Sequence, residues 1–346
     1  MTDHVKIVRD GACGRITLNR PEALHALNEP MCRSILDAVT AWQADAAIDF
    51  VLIDHLEGSR GFCAGGDIRM LAESGAADGK EARAFFATEY RMNTALHNFP
   101  KPIISMIDGV TMGGGVGLSV HGSHRVATER TLFAMPETGI GLFPDVGGGW
   151  FLPRLDGEIG MWLALTGARL KGADVYHSGV ATHFVSSEGV SDLKARIIAE
   201  GPGALSALSA PEGEASYAAE MDTINRCFAG DRAEDMRDAL AADGGEWAQK
   251  QLGFLKTKSP RTVKVALRQL REGARFDRFE DNMINEYRIG ARQVQSADFI
   301  EGVRAVIIDK DHAPRWVHAR LEEVPGELLD EVFAPLPAGE ELTFDV

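Results

Sequence analysis

No window of this 346-residue chain holds the roughly 18 to 20 consecutive apolar residues that a membrane-spanning helix needs. Cysteine is scarce. Cys13, Cys32, Cys63 and Cys227 stand far apart and form no C-x-x-C, which argues against a zinc site or a disulfide scaffold. Basic charge is also in short supply: 36 Lys and Arg face 51 Asp and Glu, a net charge of −15, which disfavours nonspecific binding to nucleic acid or to an anionic membrane. An anionic ligand therefore needs a local pocket rather than a basic face. The N-terminus, MTDHVKIVRDG, lacks the apolar core of a signal peptide and the acid-poor, Arg-rich pattern of a transit peptide, so a cytoplasmic protein is expected.

Several catalytic signatures are missing as well. The glycine run at 113–117 fails G-x-G-x-x-G in both registers, because Leu118 and Val120 stand where the third glycine belongs. No Lys-Ser or Lys-Thr follows a glycine run, so a P-loop is unsupported. No G-x-S-x-G anchors a Ser-His-Asp triad. Cys63 has no marked base, and His121 with His124 lacks a third ligand, so these read as structural or surface residues.

What is present is a globular composition, 45% hydrophobic and 25% charged, on a chain long enough for one large domain or two ordinary ones. Residues 5–8 and 15–18 read as a hairpin around Asp10-Gly11, and 29–42 as a helix capped by Asn28. A buried strand at 51–54, a tight loop at 61–67, a helix at 80–98 and a strand at 103–107 follow. After the glycine run come a helix to 120, strands at 125–128 and 132–134, and short helices at 147–155, 160–166 and 173–178. Strand and helix alternate, which predicts an α/β core with parallel strands. The stretch 201–216, GPGALSALSAPEGEAS, is the linker candidate. Beyond it the spacing predicts helices at 218–229, 233–242, 246–256, 260–272, with Ser259-Pro260 as its start, and 279–294, then a last helix at 298–308 and a docked tail. The expected division is a catalytic core, 1–205, and a helical C-terminal region, 206–346.

The stretch 109–149 carries the chemistry. Gly113, Gly114 and Gly115 precede an apolar helical run, an order that aims backbone N–H groups and a helix N-terminus at one spot; the alternative is that they only permit close helix packing. Glu137 and Asp145 lie among Met135, Pro136, Leu142, Phe143, Pro144 and Val146. A carboxylate in apolar company resists ionising and suits acid/base work, whereas one satisfied by backbone donors in a loop needs no function.

Ile16-Thr17-Leu18-Asn19-Arg20-Pro21, Ala26-Leu27-Asn28, GFCAGGDIR at 61–69, MGGGVGLS at 112–119, FAMPE at 133–137 with FPDVGGG at 143–149, ALTGARLK at 164–171, and Glu301-Gly302-Val303-Arg304-Ala305 with Asp309-Lys310-Asp311 together cover nearly the whole chain. These motifs resemble the crotonase (enoyl-CoA hydratase/isomerase) superfamily, and within it the subgroup that hydrolyses 3-hydroxyisobutyryl-CoA. The resemblance implies a crotonase-like ββα superhelix core and a short-chain acyl-CoA substrate. It implies that the backbone N–H groups of Gly66 and Gly114 hold the thioester oxygen, and that the loop about Leu24 and the segment Ala64 to Asp67 line the CoA path. Where hydratases of the superfamily carry one of two catalytic glutamates, this chain has Gly117. The second position, Glu137, remains, joined by Asp145 and by Glu89, which matches a further substrate-contacting position of the subgroup. Thioester hydrolysis in valine breakdown is thus expected, with a hydratase or isomerase of the same fold, or a non-catalytic acyl-CoA-binding protein, as the alternatives. No metal or redox cofactor is implied, since CoA arrives with the substrate. Arg60, Arg69 and Lys101 are candidates for its phosphates, and the helical C-terminal region could pack over the site or assemble a homo-oligomer.

Overall fold

β-Formers on either side of Asp10-Gly11 pair antiparallel as Val5–Asp10 (β1) and Cys13–Leu18 (β2), with Gly11 at φ +60° in the turn. The computed structural model describes residues 2–344. The other strands are Phe50–His55 (β3), Gly61–Cys63 (β4), Ile103–Met106 (β5), Val110–Met112 (β6), His124–Ala127 (β7), Leu132–Ala134 (β8), Leu170–Lys171 (β9) and His183–Phe184 (β10). They form two sheets, β1-β2-β3-β5-β7-β10 and β4-β6-β8-β9. Every pairing is parallel except β1 with β2 and β8 with β9.

Parallel neighbours need crossover connections, and after β3 each crossover visits the other sheet first. The chain runs β3, β4, then helix Ile68–Ala76; next β5, β6, then helix Gly114–Ser119; next β7, β8, then the tight turn Glu137–Ile140. This repeat is the strand–strand–helix pattern expected of the fold. Strand β3 is buried at all six positions, as a strand covered on both faces must be. The segment 61–63, expected as loop, is a strand instead, because Gly61 lets β4 approach β6 closely: a Cβ there would sit 2.5 Å from the Val110 nitrogen.

The chain divides into two units: Met1–Gly66, Arg91–Ala134 and Arg169–Ser216 make the first, and Asp67–Tyr90, Met135–Ala168 and Tyr217–Val346 the second. The expected boundary at 205/206 differs from this. Ala204 and Leu205, inside the linker candidate, are buried in the first unit's core with Leu52, Ile104, Val126 and Ile197, so the division falls at Ser216/Tyr217. Two earlier segments also join the helical unit, because small residues let them dock on it. A Cβ at Gly75 would meet the Val294 carbonyl oxygen and one at Gly141 the Asp298 carbonyl oxygen.

The helical unit contains the expected helices as Met221–Phe228, Ala233–Asp243, Glu246–Lys256, Pro260–Gly273 and Phe279–Gln293, with Ser259 Oγ accepting the Thr262 N–H as the cap of the fourth. The last predicted helix is shorter, Ala297–Val303, and opens into a wide π turn at Arg304–Ile308. One further helix, Gly326–Phe333, was not legible; Val332 and Phe333 are its buried residues.

Close packing explains one glycine of the 113–115 run directly. A Cβ on Gly115 would lie 2.4 Å from the Cys63 carbonyl oxygen, so the helix seats on β4 only without a side chain there. Gly115→Ala should lower the unfolding free energy by about 1–3 kcal/mol, the range for overpacking against backbone. Urea denaturation measures this, and an unchanged midpoint would refute the tight seat.

Candidate active site

In the first unit two backbone segments with unusual dihedrals lie side by side. Gly113 ends β6 at φ +46° and ψ −120°, a glycine conformation, and the helix Gly114–Ser119 starts at once. Its first N–H groups have no acceptor one turn back. Val116 and Gly117 N–H return to the Gly113 carbonyl, at 2.7 and 3.2 Å, which leaves the Gly114 N–H pointing out of the helix start. The facing segment follows β4. Ala64 N–H donates to the Leu24 carbonyl (3.0 Å), Leu27 N–H donates to the Gly65 carbonyl (2.7 Å), and Leu27 pairs with Gly66 in parallel. A Cβ on Gly65, itself at φ +119°, would fall 3.9 Å from the Gly114 nitrogen. Thus Leu24, Ala64, Gly66 and Gly114, all singled out from the sequence, belong to one neighbourhood.

Leu24 and His25 sit at φ +49° and +57°, and the buried His25 ring holds that strained turn. Arg20 N–H donates to His25 Nδ1 (2.9 Å), so Nε2 carries the proton toward Ser59 Oγ (2.9 Å). The imidazole therefore does not activate Ser59 as a nucleophile. Cys63 is equally structural: its buried Sγ donates to the His25 carbonyl at 3.2 Å. Lys101, considered for CoA phosphates, is committed elsewhere, donating to the Trp42 and Asp45 carbonyls at 2.9 and 2.6 Å. Arg60 and Arg69 are exposed.

The second unit holds the acids. Asp67 accepts the Met70 N–H (3.4 Å) and so caps the helix Ile68–Ala76. Glu89, on the helix Lys80–His97, is 2% exposed; Glu137, in the tight turn, and Asp145 are each 5% exposed. Tyr90 donates its hydroxyl proton to Asp145 Oδ2 (2.9 Å). Glu137 Oε2 and Glu89 Oε1 meet no hydrogen-bond partner among the described residues. Burial, then the neighbouring Asp145, pushes the Glu137 carboxyl well above the usual range. Burial, then Asp145 and Glu286, does the same to Glu89. Burial raises Asp145 to about 7, against the opposing pull of the Tyr90 hydroxyl. The structure thus brings Glu89, Glu137 and Asp145 into one electrostatic cluster whose carboxyls all resist ionising.

The enoyl-CoA hydratase/isomerase family model matches residues 13–333. The chain belongs to this family. Among curated relatives, the mitochondrial 3-hydroxyisobutyryl-CoA hydrolase of Xenopus laevis is 46% identical over 97% of this chain and 91% of its own length. The human protein of the same name is 45% identical over 96% and 89%. Among solved structures, a carnitinyl-CoA dehydratase from Mycobacterium thermoresistibile superposes with TM-score 0.94 at 37% identity, covering 99% of each chain. An enoyl-CoA hydratase from Rhodobacter sphaeroides 2.4.1 does so with TM-score 0.90 at 41% identity, covering 99% of this chain and 100% of that one. The crotonase fold is therefore established.

The same relatives correct one expectation. Those compared, at 45–46% identity, are each named as the mitochondrial enzyme, so the cytoplasmic assignment does not stand. It rested on a leader pattern not being seen, and an absence does not report an address.

Two residues that this crotonase-family cluster depends on went unread in the sequence. For Tyr90 the adjacent Glu89 was the only signal. Glu286 lies in the buried stripe Phe279, Met283, Ile289 and Gln293 of its helix, and a glutamate in such a stripe was the legible sign.

The Asp145 shift makes stability depend on pH. An unfolded aspartate ionises near pH 3.9, whereas the folded one keeps its proton to about 7, so folding takes up a proton between those limits. Stability from this group is fully present below the unfolded pKa and falls as pH rises toward 7. Between pH 5 and 8 the protein should lose more unfolding free energy than Asp145→Asn does, by on the order of 1 kcal/mol or more. Urea titrations at both values test this; equal losses would mean that Asp145 ionises freely in the fold.

Proposed function

We propose that the protein hydrolyses a short-chain 3-hydroxyacyl-CoA thioester, with 3-hydroxyisobutyryl-CoA, cleaved to 3-hydroxyisobutyrate and CoA, as its substrate. The observation that carries the reading is a buried, unbonded carboxyl oxygen on Glu137 beside Asp145, in a chain that has Gly117 where a second hydratase glutamate would stand. The names of relatives at 45–46% identity support it.

The Gly66 and Gly114 N–H groups polarise the thioester carbonyl and stabilise the tetrahedral oxyanion; one such donor is typically worth about 2.7 to 4 kcal/mol of barrier. In its ionised form Glu137 takes a proton from the attacking water, or attacks the carbonyl itself to form an anhydride that water then opens. Either way the C–S bond breaks, the departing thiolate takes up a proton, and the acyl carbon gains an oxygen, from water directly or from the Glu137 carboxyl that water then restores. Asp145 and Glu89 bind the 3-hydroxyl or position the water. Both are tuned to hold a proton, which lets them donate to a hydroxyl oxygen. CoA enters as part of the substrate and no separate cofactor is required.

A second reading is favoured by the names of the two superposed structures: hydration of an enoyl-CoA. The two reactions differ in their readout. A free-thiol screen across short acyl-CoAs, including 3-hydroxyisobutyryl-CoA and 3-hydroxypropionyl-CoA, should show turnover, while crotonyl-CoA should keep its enoyl absorbance. Glu137→Gln should cut thiol release by about a thousandfold or more, since it removes the base or nucleophile, and should leave CoA binding near normal. Near-normal turnover in the variant would remove Glu137 from the chemistry.

A further inference from the structure

One buried acid has no part in the reaction just described. Glu286, on the helix Phe279–Gln293, is 0% exposed, and its carboxylate is gripped by four N–H donors. Gly147 N–H donates to Oε2 at 2.8 Å, and Gly149 N–H to Oε1 at 2.9 Å. The Asn282 amide donates to Oε1 at 2.9 Å and the Gln269 amide at 3.2 Å. Gln269 Nε2 also donates to the Pro144 carbonyl at 2.6 Å, which identifies that atom as the nitrogen. Two helices therefore hold the backbone on both sides of Asp145, its preceding carbonyl through Gln269 and its following amides through Glu286.

The segment between these grips is strained. Val146 lies at φ +53°, a β-branched residue in the left-handed region, and Gly147 follows at φ +87°. Such a conformation costs of order 1–3 kcal/mol and persists only where surroundings over-determine it. Glu286 with its amide partners is that surrounding. Burial pushes its carboxyl up, to about 8, even against the Gly147, Asn282 and Gly149 donors.

We infer that Glu286 is the positioning residue of the 144–149 loop, splinting Asp145 in its catalytic orientation through the Gly147 and Gly149 amides. This role rests on the proposed thioester hydrolysis for its kinetic consequence, but not for its structural one.

Glu286→Gln keeps size and one acceptor oxygen while it sets an amide against a backbone N–H. Two measurements on the folded variant test the inference. Turnover should fall by about 100-fold with KM within about threefold, as a displaced catalytic group gives. Amide exchange at Gly147 and Gly149 should accelerate. Unchanged exchange in folded Glu286→Gln would overturn the inference, and it needs no turnover, so it decides even if no acyl-CoA proves to be a substrate. Should that variant not fold, Gln269→Leu serves: it frees the Pro144 carbonyl yet leaves Glu286 and its backbone partners. It should lower kcat and speed loop exchange, and an unchanged kcat with unchanged loop exchange would overturn the splint.

Discussion

Negative charge held away from water is the constraint on which the second unit depends. Glu89, Glu137, Asp145 and Glu286 are all at least 95% buried, and four ionised carboxylates in one apolar neighbourhood would repel one another without solvent to screen them. Hydrogen-bond donors are shared unevenly among them. Glu286 has four N–H donors, whereas Asp145 has the Tyr90 hydroxyl, and Glu89 and Glu137 each keep an oxygen without a partner among the described residues. Burial raises all four carboxyls, Glu286 to about 8 and Asp145 to about 7. Much else in the unit follows from where the donors lie. The strained Val146 turn presents the Gly147 and Gly149 amides to one carboxylate, and a Cβ on Gly149 would crowd Asn282 Oδ1 at 2.7 Å.

The first unit is built differently. Around the start of the helix Gly114–Ser119 the neighbouring backbone groups are used up. Leu24 and Gly65 carbonyls are taken by Ala64 and Leu27 amides, and the Gly113 carbonyl by Val116 and Gly117. What remains is the N–H of Gly114 at a helix start, where no intrahelical acceptor exists. Rigid hydrogen bonding on each side fixes the direction of that donor, which is what the proposed oxyanion role requires.

Legibility in the sequence followed the range of the interaction involved. Local signals held: the hairpin about Asp10-Gly11, the Asn28 and Ser259 caps, and the helices from 218 to 294 depend on neighbours within a few residues. Gly61–Cys63 as a strand, the 216/217 division and the Gly326–Phe333 helix depend on partners far along the chain, and no short window contains them. The site behaved likewise. Glu137 and Asp145 announced themselves by apolar neighbours, and Gly114 by its glycine run. Lys101 misled, because a lysine before a proline gives no hint that it reaches back to the carbonyls of Trp42 and Asp45. Glu286 is 137 to 139 residues from the amides it holds, so only its place in an apolar stripe could betray it.

A shared fold does not choose the reaction here. The superposed dehydratase and hydratase differ from this chain in about three residues of five while keeping its course almost throughout. What distinguishes water addition to a carbon–carbon double bond from water addition to a thioester is where proton-carrying groups stand relative to the carbonyl. With glycine at 117, the helix Gly114–Ser119 contributes backbone donors and no acid. In the proposed hydrolysis Asp145 stands instead on a loop held by helices more than a hundred residues away. A catalytic group on a helix is oriented by its own backbone hydrogen bonds, but one on a loop needs an external brace. On the reading proposed above, the four-donor grip on Glu286 is that brace: an acid placed on a strained turn requires something as stiff as a helix to hold it.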